Sequence, residues 1–586
     1  MGEQHEEAII MNAPETRTSL SIVLTGSGGA GVMTAGQTLL DAATSCGLYG
    51  LMTRSTGPQI RGGEAAAMIR LSTRPVQCPG DKFDILLALD FDNIQRFAAE
   101  LPLDSASVIL ADPAAGDLPA FLAQTGATVG HVEMNKLAKT VPGGRISMVA
   151  LGALAHLIGL PESAIVEAVA ASLGRKKPEA VQASEQAVRL GALNSPEMKA
   201  PKLTISAAKP AGRWSITGNE ATGFGALKGG VRFVGGYPIT PATEILEWMA
   251  HTLPQCGGVL VQAEDELASI NMIIGASFGG TPALTATAGP GLSLMIEALG
   301  LAVAAEIPVV VVDVMRSGPS TGIATKSEQS DLNIAVFGLH GDAPHVVVAP
   351  LSVSDCLMTA QWSVHLAETL QTPVIMLSDQ SLGQARVVID RPQDVSFATK
   401  RLTPQAPVEN YERYALVESG VSSMSIPGMA GGQYTADGLT HNAKGTPSSQ
   451  AHDHVAQMDK RQRKLASFDF GAHWADIDGE GELAVITWGS SSEPLREAID
   501  IARAEGIKVR LIAMRLISPA QPARLAEALK GVKRALVIEQ SHSGQFWRYL
   551  RAYYDLPVDV VSIPQPGPLP IRPREALEYI RKGAQA

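Results

Sequence analysis

The chain of 586 residues corresponds to about three or four domains, and its 45% hydrophobic and 18% charged residues suit a protein with a large core. A net charge of −11 and a pI of 5.6 exclude a surface built to wrap a nucleic-acid backbone, because no basic excess is there to release counterions. The scattered cysteines Cys46, Cys78, Cys256 and Cys356 include no Cys-x-x-Cys pair, which argues against a disulfide framework and against an all-cysteine iron–sulfur site.

Residues 1–18 read as a polar, acidic tail without a basic–apolar–small leader, so the expectation is a cytoplasmic protein whose free thiols lie in the core. A short apolar strand at Ser19–Leu24 runs into Thr25-Gly26-Ser27-Gly28-Gly29-Ala30-Gly31, and helical spacing follows from Val32 to Cys46. That order opens a doubly wound α/β unit, with backbone N–H groups at the helix start available to a phosphate or carboxylate. Ala66–Leu71, Ile85–Leu89 and Val108–Leu110 read as strands, and Leu151–Ile158 and Ile165–Ser172 as helices. The stretch Arg189–Ile216 lacks periodicity and reads as a linker.

A second unit begins at Thr217-Gly218-Asn219-Glu220 and a small-residue helix, Ala221–Gly229. Strands are predicted at Arg232–Val234, Val259–Gln262, Ala283–Thr287, Pro308–Val314 and Pro373–Leu377, with helical segments between. Such alternation points to a mostly parallel sheet covered on both faces. The most apolar run, Ile296–Met315, contains Glu297, Glu306, Pro308 and Asp313, and so reads as a buried helix entering a strand rather than a membrane span. From Arg386 to Leu465 the pattern dissolves into Pro, Gly, Ser, Gln and His, a length of irregular chain that is usually functional or a linker. A last unit has strands at Ala484–Thr487, Val509–Ala513 and Ala535–Glu539 and an amphipathic helix at Glu493–Glu505. The predicted organisation is α/β throughout: a tail 1–18, units 19–195, 216–395 and 471–586, a linker 196–215 and an irregular insertion 396–470.

Four constellations bear on chemistry. Gly26-x-Gly28-Gly29-x-Gly31 resembles a dinucleotide turn, yet the carboxylate expected about twenty residues later is missing around 50–63, where Arg54 and Arg61 stand instead. Those arginines suit a phosphate such as that of coenzyme A, or pair with surface carboxylates. Gly236-Tyr237-Pro238-Ile239-Thr240-Pro241 is a rigid turn at a strand end, where open α/β sheets place ligands. Its Thr240 hydroxyl serves either a substrate carboxylate or the N-cap of a helix at Ala242–His251. Glu264-Asp265-Glu266 crowds three acids at a helix start, which suits the macrodipole and also prepares one carboxyl to share a proton. Arg316, at the end of a buried strand and followed by a hydroxyl-rich loop to Thr325, looks like an oxoanion pocket, or pairs with Glu328 or Asp331. His340 and His345 lack metal-ligand spacing and read as structural or exposed.

In order, the glycine-rich first unit with Arg-Gly-Gly, then Gly-Asn-Glu-Ala, Tyr-Pro-Ile-Thr-Pro, Glu-Asp-Glu, Thr-Ala-Gly-Pro-Gly and Arg-Ser-Gly-Pro-Ser-Thr-Gly resemble the alpha subunit of 2-oxoacid:ferredoxin oxidoreductases carrying an N-terminally fused gamma domain. The resemblance covers about Ser19 to Ile580. It implies three doubly wound units: a gamma domain, a pyrimidine-type thiamine diphosphate domain and a transketolase C-terminal-like domain. It further implies an alpha2beta2 assembly in which a separate beta subunit holds the diphosphate, Mg²⁺ and an iron–sulfur cluster, with ferredoxin as electron acceptor and coenzyme A as acyl acceptor.

Carried over by motif, Glu266 would hydrogen-bond N1′ of the aminopyrimidine, beside Pro238 and Ile239. Tyr237, Thr240 and Arg316, with Thr325, would bind the 2-oxoacid, and Arg54 and Arg61 would face coenzyme A or the partner. The segment Tyr411–Lys464 resembles an insertion of 2-oxoglutarate-type and branched-chain enzymes, which favours 2-oxoglutarate, with branched-chain 2-oxoacids or pyruvate as alternatives. A non-redox, transketolase-like thiamine enzyme, a nicotinamide dehydrogenase built on the glycine turn, and a non-catalytic electron-transfer or scaffolding subunit are the rival readings.

Overall fold

A computed structural model describes residues 16–57, 63–173, 178–205, 212–397 and 399–585. They fall into two compact units, one reaching to Trp214 and joined by Val388–Asp390, the other formed by Ser215–Val387 and the chain from Arg391 onward. The masses of both are α/β, with three principal sheets of mostly parallel strands.

In the first unit the elements are β1 (Ser19–Ser27), α1 (Val32–Ser45), β2 (Tyr49–Thr56), β3 (Glu64–Ser72), β4 (Ile85–Ala88), β5 (Val108–Ala111), β6 (Thr128–His131), α2 (Ile146–Ile158), α3 (Glu162–Leu173) and α4 (Pro178–Leu193). The sheet order is β6-β5-β4-β1-β3-β2, with β3 antiparallel to both β1 and β2 and the remaining neighbours parallel. Because strand side chains alternate, Ile22 and Leu24 of β1 join one core with Leu39 and Leu154. Val23 joins the other, with Phe83, Phe97 and Ile109. Both faces of β1 are therefore covered, which explains its unbroken apolar run.

Helix α4 corrects the reading of Arg189–Ile216 as wholly linker, since the helix continues to Leu193. Its packing rests on small residues. A Cβ at Gly191 would lie 1.9 Å from the Val149 carbonyl oxygen, and one at Gly152 would lie 1.9 Å from that of Val188. Backbone-to-backbone approach replaces the large apolar stripe that periodicity detects.

The second unit comprises α5 (Gly218–Gly229), β7 (Phe233–Gly236), α6 (Thr243–Thr252), β8 (Val259–Gln262), α7 (Glu266–Phe278), β9 (Ala283–Thr287), α8 (Gly289–Ala304), β10 (Val310–Met315), α9 (Leu332–Phe337), β11 (Val346–Val348), α10 (Asp355–Leu370) and β12 (Val374–Asp379). After the strand Arg386–Asp390 come α11 (Ala451–Ala466), β13 (Ala475–Asp478), β14 (Leu483–Trp488), α12 (Ser492–Ala504), β15 (Val509–Met514), β16 (Leu516–Ser518), β17 (Arg534–Glu539), α13 (Gln545–Tyr553), β18 (Asp559–Pro564) and α14 (Pro573–Gln585). One sheet runs β8-β7-β9-β10-β12-β11-β16 and the other β13-β15-β14-β17-β18. Within them only β16, against β11, and β13, against β15, are antiparallel.

The stretch read as irregular from Arg386 to Leu465 contains a strand and, at α11, a helix of 16 residues. Periodicity misses α11 because its buried face is mostly polar: Gln457, Lys460, Arg461 and Lys464, with Leu465 the one apolar member. Lys460 and Lys464 donate to the two carboxylate oxygens of the fully buried Glu306, at 2.7 and 3.0 Å. Glu306 lies just beyond the end of α8, at a left-handed φ of 52°, and its carbonyl accepts from Arg413 at 2.8 Å. Burial pushes the Glu306 carboxyl up, but Lys464, Lys460 and Arg413 outweigh it and hold the group well below the usual carboxylate range. The preceding stretch 399–450 is held without helix or strand beyond an isolated bridge, His441 to Pro447.

Cys78 and Cys356 are buried as expected, but Cys256 is exposed. No described helix is long and apolar enough to cross a membrane. Among the described residues no cluster of His, Cys, Asp and Glu side chains could hold a metal ion.

Candidate active site

Parallel strands deliver their carboxyl ends to one edge of the sheet, the usual place for a ligand in open α/β folds. Along β8-β7-β9-β10 that edge carries, in turn, Glu264-Asp265-Glu266, the Tyr237–Pro241 turn, Ala288-Gly289-Pro290-Gly291, and Arg316. Four segments far apart in sequence thus meet because β7 lies between β8 and β9, and β9 beside β10.

The three acids diverge rather than crowd. Glu264 is exposed, and Asp265 is the N-cap of α7, accepting from the Ala268 N–H at 2.7 Å. Glu266 opens the helix and is 8% exposed. Its carboxylate makes no hydrogen bond to another described residue. The residue is largely buried while its unpartnered carboxylate oxygens stay open to solvent, so it is the acid of the three that is poised for a ligand. The first turn of α8 presses on it: a Cβ at Gly291 would lie 2.8 Å from Glu266 Cγ and 3.0 Å from its Oε1.

The Tyr-Pro-Ile-Thr-Pro turn is clamped through its backbone. Arg316 Nη1 donates to the Thr240 carbonyl at 2.7 Å, and Asn219 Nδ2 donates to the next carbonyl, that of Pro241, at 3.0 Å. Asn219 is 1% exposed and sits on the first turn of α5, which Thr217 and Glu220 close with a capping box. Thr240 does not cap α6, whose N-cap is Ala242; it is half-buried, in a turn where Tyr237 and Pro238 are exposed and Ile239 is half-buried.

Arg316 therefore departs from the ion pair with Glu328 or Asp331 weighed for it. It is 8% exposed, and its buried Nε has no partner. Burial lowers its pKa while the charge of Asp331 raises it. An incompletely satisfied buried guanidinium is a ready partner for a carboxylate. Thr325 is half-buried in the loop beyond Arg316, a loop pinned by a bridge between Ser317 and Ile323.

In the first unit, Asp90 closes the glycine turn, accepting from the Ser27 N–H at 2.9 Å and its hydroxyl at 3.1 Å. Gly28 N–H goes to the Gly63 carbonyl at 2.5 Å and Ala30 N–H to that of Ser27 at 3.0 Å. A carboxylate in the turn and three N–H groups already engaged oppose the dinucleotide reading, because a pyrophosphate needs those donors and repels that charge. Arg54 is half-buried on β2; Arg61 lies outside the described residues. His345 is a structural histidine, its ring nitrogens 2.8 and 2.6 Å from the Ala343 and Ala335 carbonyls, and His340 is exposed.

Sequence reasoning missed Asn219 and Gly291 as site residues. The Gly-Asn-Glu-Ala and Thr-Ala-Gly-Pro-Gly motifs signalled both; the contacts that give them meaning are tertiary.

The chain resembles known proteins along most of its length. Residues 224–460 match the family described as "Pyruvate flavodoxin/ferredoxin oxidoreductase, thiamine diP-bdg". Residues 21–193 match "Pyruvate ferredoxin/flavodoxin oxidoreductase" and 481–564 "Pyruvate:ferredoxin oxidoreductase core domain II". The chain is 31% identical to 2-oxoglutarate oxidoreductase subunit KorA of Mycobacterium tuberculosis, over 96% of this chain and 91% of that one. It is 35% identical to 2-oxoglutarate synthase subunit KorA of Methanothermobacter marburgensis, over 62% of this chain and 97% of the relative. A solved 2-oxoglutarate:ferredoxin oxidoreductase from Magnetococcus marinus, with 2-oxoglutarate, coenzyme A and succinyl-CoA bound, superposes with a TM-score of 0.90 at 34% identity, covering 97% of this chain and 100% of that one. By this likeness along nearly its whole length, the chain belongs to the 2-oxoacid:ferredoxin oxidoreductase family, on the side of its alpha subunits.

Proposed function

We propose that the chain is the alpha subunit of an enzyme that oxidatively decarboxylates 2-oxoglutarate with coenzyme A to succinyl-CoA and passes the electrons to ferredoxin. The observation that carries this reading is the largely buried Glu266, whose unpartnered carboxylate is seated on Gly291 at the edge where Arg316 and the Thr240 turn meet. Its acceptor oxygens fit the N1′ edge of an aminopyrimidine, which needs one carboxyl and no water to share a proton. Thiamine diphosphate, when bound, supplies a nucleophilic thiazolium carbon and the electron sink for decarboxylation.

Glu266 holds a proton at N1′ in this reading, and the shallow apolar floor of Pro238 and Ile239 orients the ring. Arg316 and the Thr240 hydroxyl take the 1-carboxylate, with Tyr237 and Thr325 at the rim. That carboxylate must be fixed yet released, so a single guanidinium already donating to the Thr240 carbonyl suits the task better than a fully satisfied clamp. Thr240 and Arg316 act as one unit, because the same guanidinium that faces the substrate sets the turn that carries the hydroxyl.

A beta subunit supplies the diphosphate site with Mg²⁺ and the iron–sulfur cluster, in an alpha2beta2 assembly of the cytoplasm. The lack of a Cys-x-x-Cys pair in this chain and the relatives named as subunits support that division. Arg54 and Arg61 are assigned in this reading to binding coenzyme A or the partner. Support for 2-oxoglutarate over pyruvate or branched-chain 2-oxoacids comes from the relatives' names.

The test is co-expression with the partner and measurement of 2-oxoacid- and coenzyme A-dependent reduction of ferredoxin or viologen. Glu266→Gln is expected to abolish reduction in a complex that still assembles. Turnover surviving in that variant rejects the reading, and acyl transfer without electron release favours a non-redox thiamine enzyme.

A further inference from the structure

The chain beyond Arg316 forms a loop, residues 317–331, that leads into α9. Its outward limb is exposed from Gly318 to Ile323. The stem is closed by the Ser317 N–H, which donates to the Lys326 carbonyl, and the Ile323 N–H, which donates to that of Ser317, both at 2.9 Å. The return limb leans on the other sheet of the same unit. The Ser330 hydroxyl donates to the Arg316 carbonyl at 3.2 Å, and the Ser330 carbonyl accepts from Gln545 Nε2, at the start of α13, at 2.8 Å. Gln545 Oε1 in turn accepts from the Asn333 N–H at 2.9 Å.

Gln329 makes the deepest of these contacts and is 0% exposed. Its Nε2 donates to the carbonyl of Trp488, the last residue of β14, at 2.8 Å. Its Oε1 accepts from the Gln540 N–H, just past β17, at 2.7 Å and from the Ser491 hydroxyl at 3.1 Å. Its own N–H donates to the Gln540 carbonyl at 2.8 Å. The chain at 489 has to be glycine to pass it, since a Cβ there would lie 2.5 Å from Gln329 Nε2. In chain order the parallel strands of this sheet are β14, β15, β17 and β18, yet in space they run β15-β14-β17-β18. The order therefore reverses between β14 and β17. The crevice outside the carboxyl ends at such a reversal is where open α/β sheets take their ligands. Here a side chain of the same polypeptide fills it, and its amide engages the backbone donor and acceptors that line it.

We propose that Gln329 is a positioning residue for the 2-oxoacid site: it seats the return limb in the switch-point crevice of the second sheet, and Ser330 passes that position to the backbone of Arg316. This rests on the reading of Arg316 as the residue that takes the 1-carboxylate. The ladder between β10 and β12 ends at Met315, so the Arg316 carbonyl takes its donor from the loop and not from the sheet. Arg316 is thereby held at both ends, its guanidinium on the Thr240 carbonyl and its own carbonyl under Ser330. Loss of the Gln329 amide leaves the Trp488 carbonyl and the Gln540 N–H without the partner that buries them. The limb then shifts, and a shift of about 1 Å is enough to break the Ser330 bond and misplace the guanidinium against a carboxylate.

The experiment is steady-state reduction of viologen by the assembled holoenzyme, with thermal unfolding of each preparation alongside. Gln329→Met keeps the volume and removes the amide. It is expected to raise the KM for 2-oxoglutarate by about ten- to hundredfold, the equivalent of one hydrogen bond to a charged group. The kcat and the KM for coenzyme A are expected to stay within about twofold, as for an interaction lost equally from ground and transition states. Ser491→Ala and Ser330→Ala approach the limb from its two sides and decide the matter where Gln329→Met does not assemble. Each removes one bond, and each is expected to raise the same KM by about fivefold. In an Arg316→Gln background none of the three is expected to raise the KM further, a coupling that a role in stability alone does not produce. The proposal is overturned if Arg316→Gln raises the KM while the three substitutions leave it unchanged, or if their effects simply add to that of Arg316→Gln. An unchanged KM in Arg316→Gln itself rejects the underlying reading of Arg316.

Discussion

Gly291→Ala probes the contact on which the proposed chemistry depends. An added Cβ would stand 2.0 Å from Thr287 Oγ1, 2.8 Å from Glu266 Cγ and 3.0 Å from Glu266 Oε1. To bring the closest of these to a tolerable separation, something must move by about 1 Å. Thr287 is 0% exposed, and turning its side chain would put the larger methyl where the hydroxyl is. The strain therefore falls on Glu266 and the first turn of α8. Overpacking of this kind costs about 1–3 kcal/mol, which the second unit tolerates. A displacement of about 1 Å at a proton-sharing carboxyl costs about 10²-fold in rate. The assay is kcat of the assembled complex, with thermal unfolding of the same preparation as the control for folding. Gly275→Ala in the neighbouring α7 is the matched substitution: that glycine is exposed and helical, with nothing within 4 Å of an added Cβ, so stability is expected to rise by about 0.5–1 kcal/mol. If Gly291→Ala keeps kcat within about twofold of wild type, with its melting temperature unchanged, Glu266 does not depend on this packing and the reasoning fails.

Four further outcomes are expected. Glu306→Gln leaves the ammoniums of Lys460 and Lys464 buried without their carboxylate, at a cost of about 3–5 kcal/mol, read as loss of hydrogen-exchange protection in 451–466; unchanged protection refutes it. Burial lowers the Lys460 ammonium to about 8, with Glu306 opposing, so its contribution to stability is complete above the ordinary lysine value and lost as pH falls through about 8. Unfolding free energy is therefore expected to rise between about pH 8 and 10, and Lys460→Met to reduce that slope, the remainder coming from Lys464, which burial lowers as well. In the first unit, Asp90→Ala frees the Ser27 N–H and hydroxyl, with an expected loss of about 1–3 kcal/mol. NADH is expected not to bind the wild-type chain; a micromolar titration would restore the dinucleotide reading.

The sequence by itself determined the α/β class and the strand–helix alternation and singled out the segments of the candidate site, because these rest on local signals. Apolar runs such as Val310–Met315 announce buried strands, and Pro and Gly mark where the Tyr237–Pro241 turn must bend. It also singled out Glu264, Asp265 and Glu266 as a group, though not which of them is buried, since a helix start accommodates acids in capping, exposed and inward positions alike. Only the tertiary structure decided that Asn219 and Arg316 hold successive carbonyls of one turn, for their partners are backbone atoms distant in sequence and leave no mark in side-chain pattern. The same holds for α11, whose inward face is lysine and arginine and becomes a helix of the interior because Glu306 awaits it there. Periodicity reads water-averse surface, and where burial is secured by charge pairing or by glycine-to-backbone contact, that signal is silent until the chain has folded.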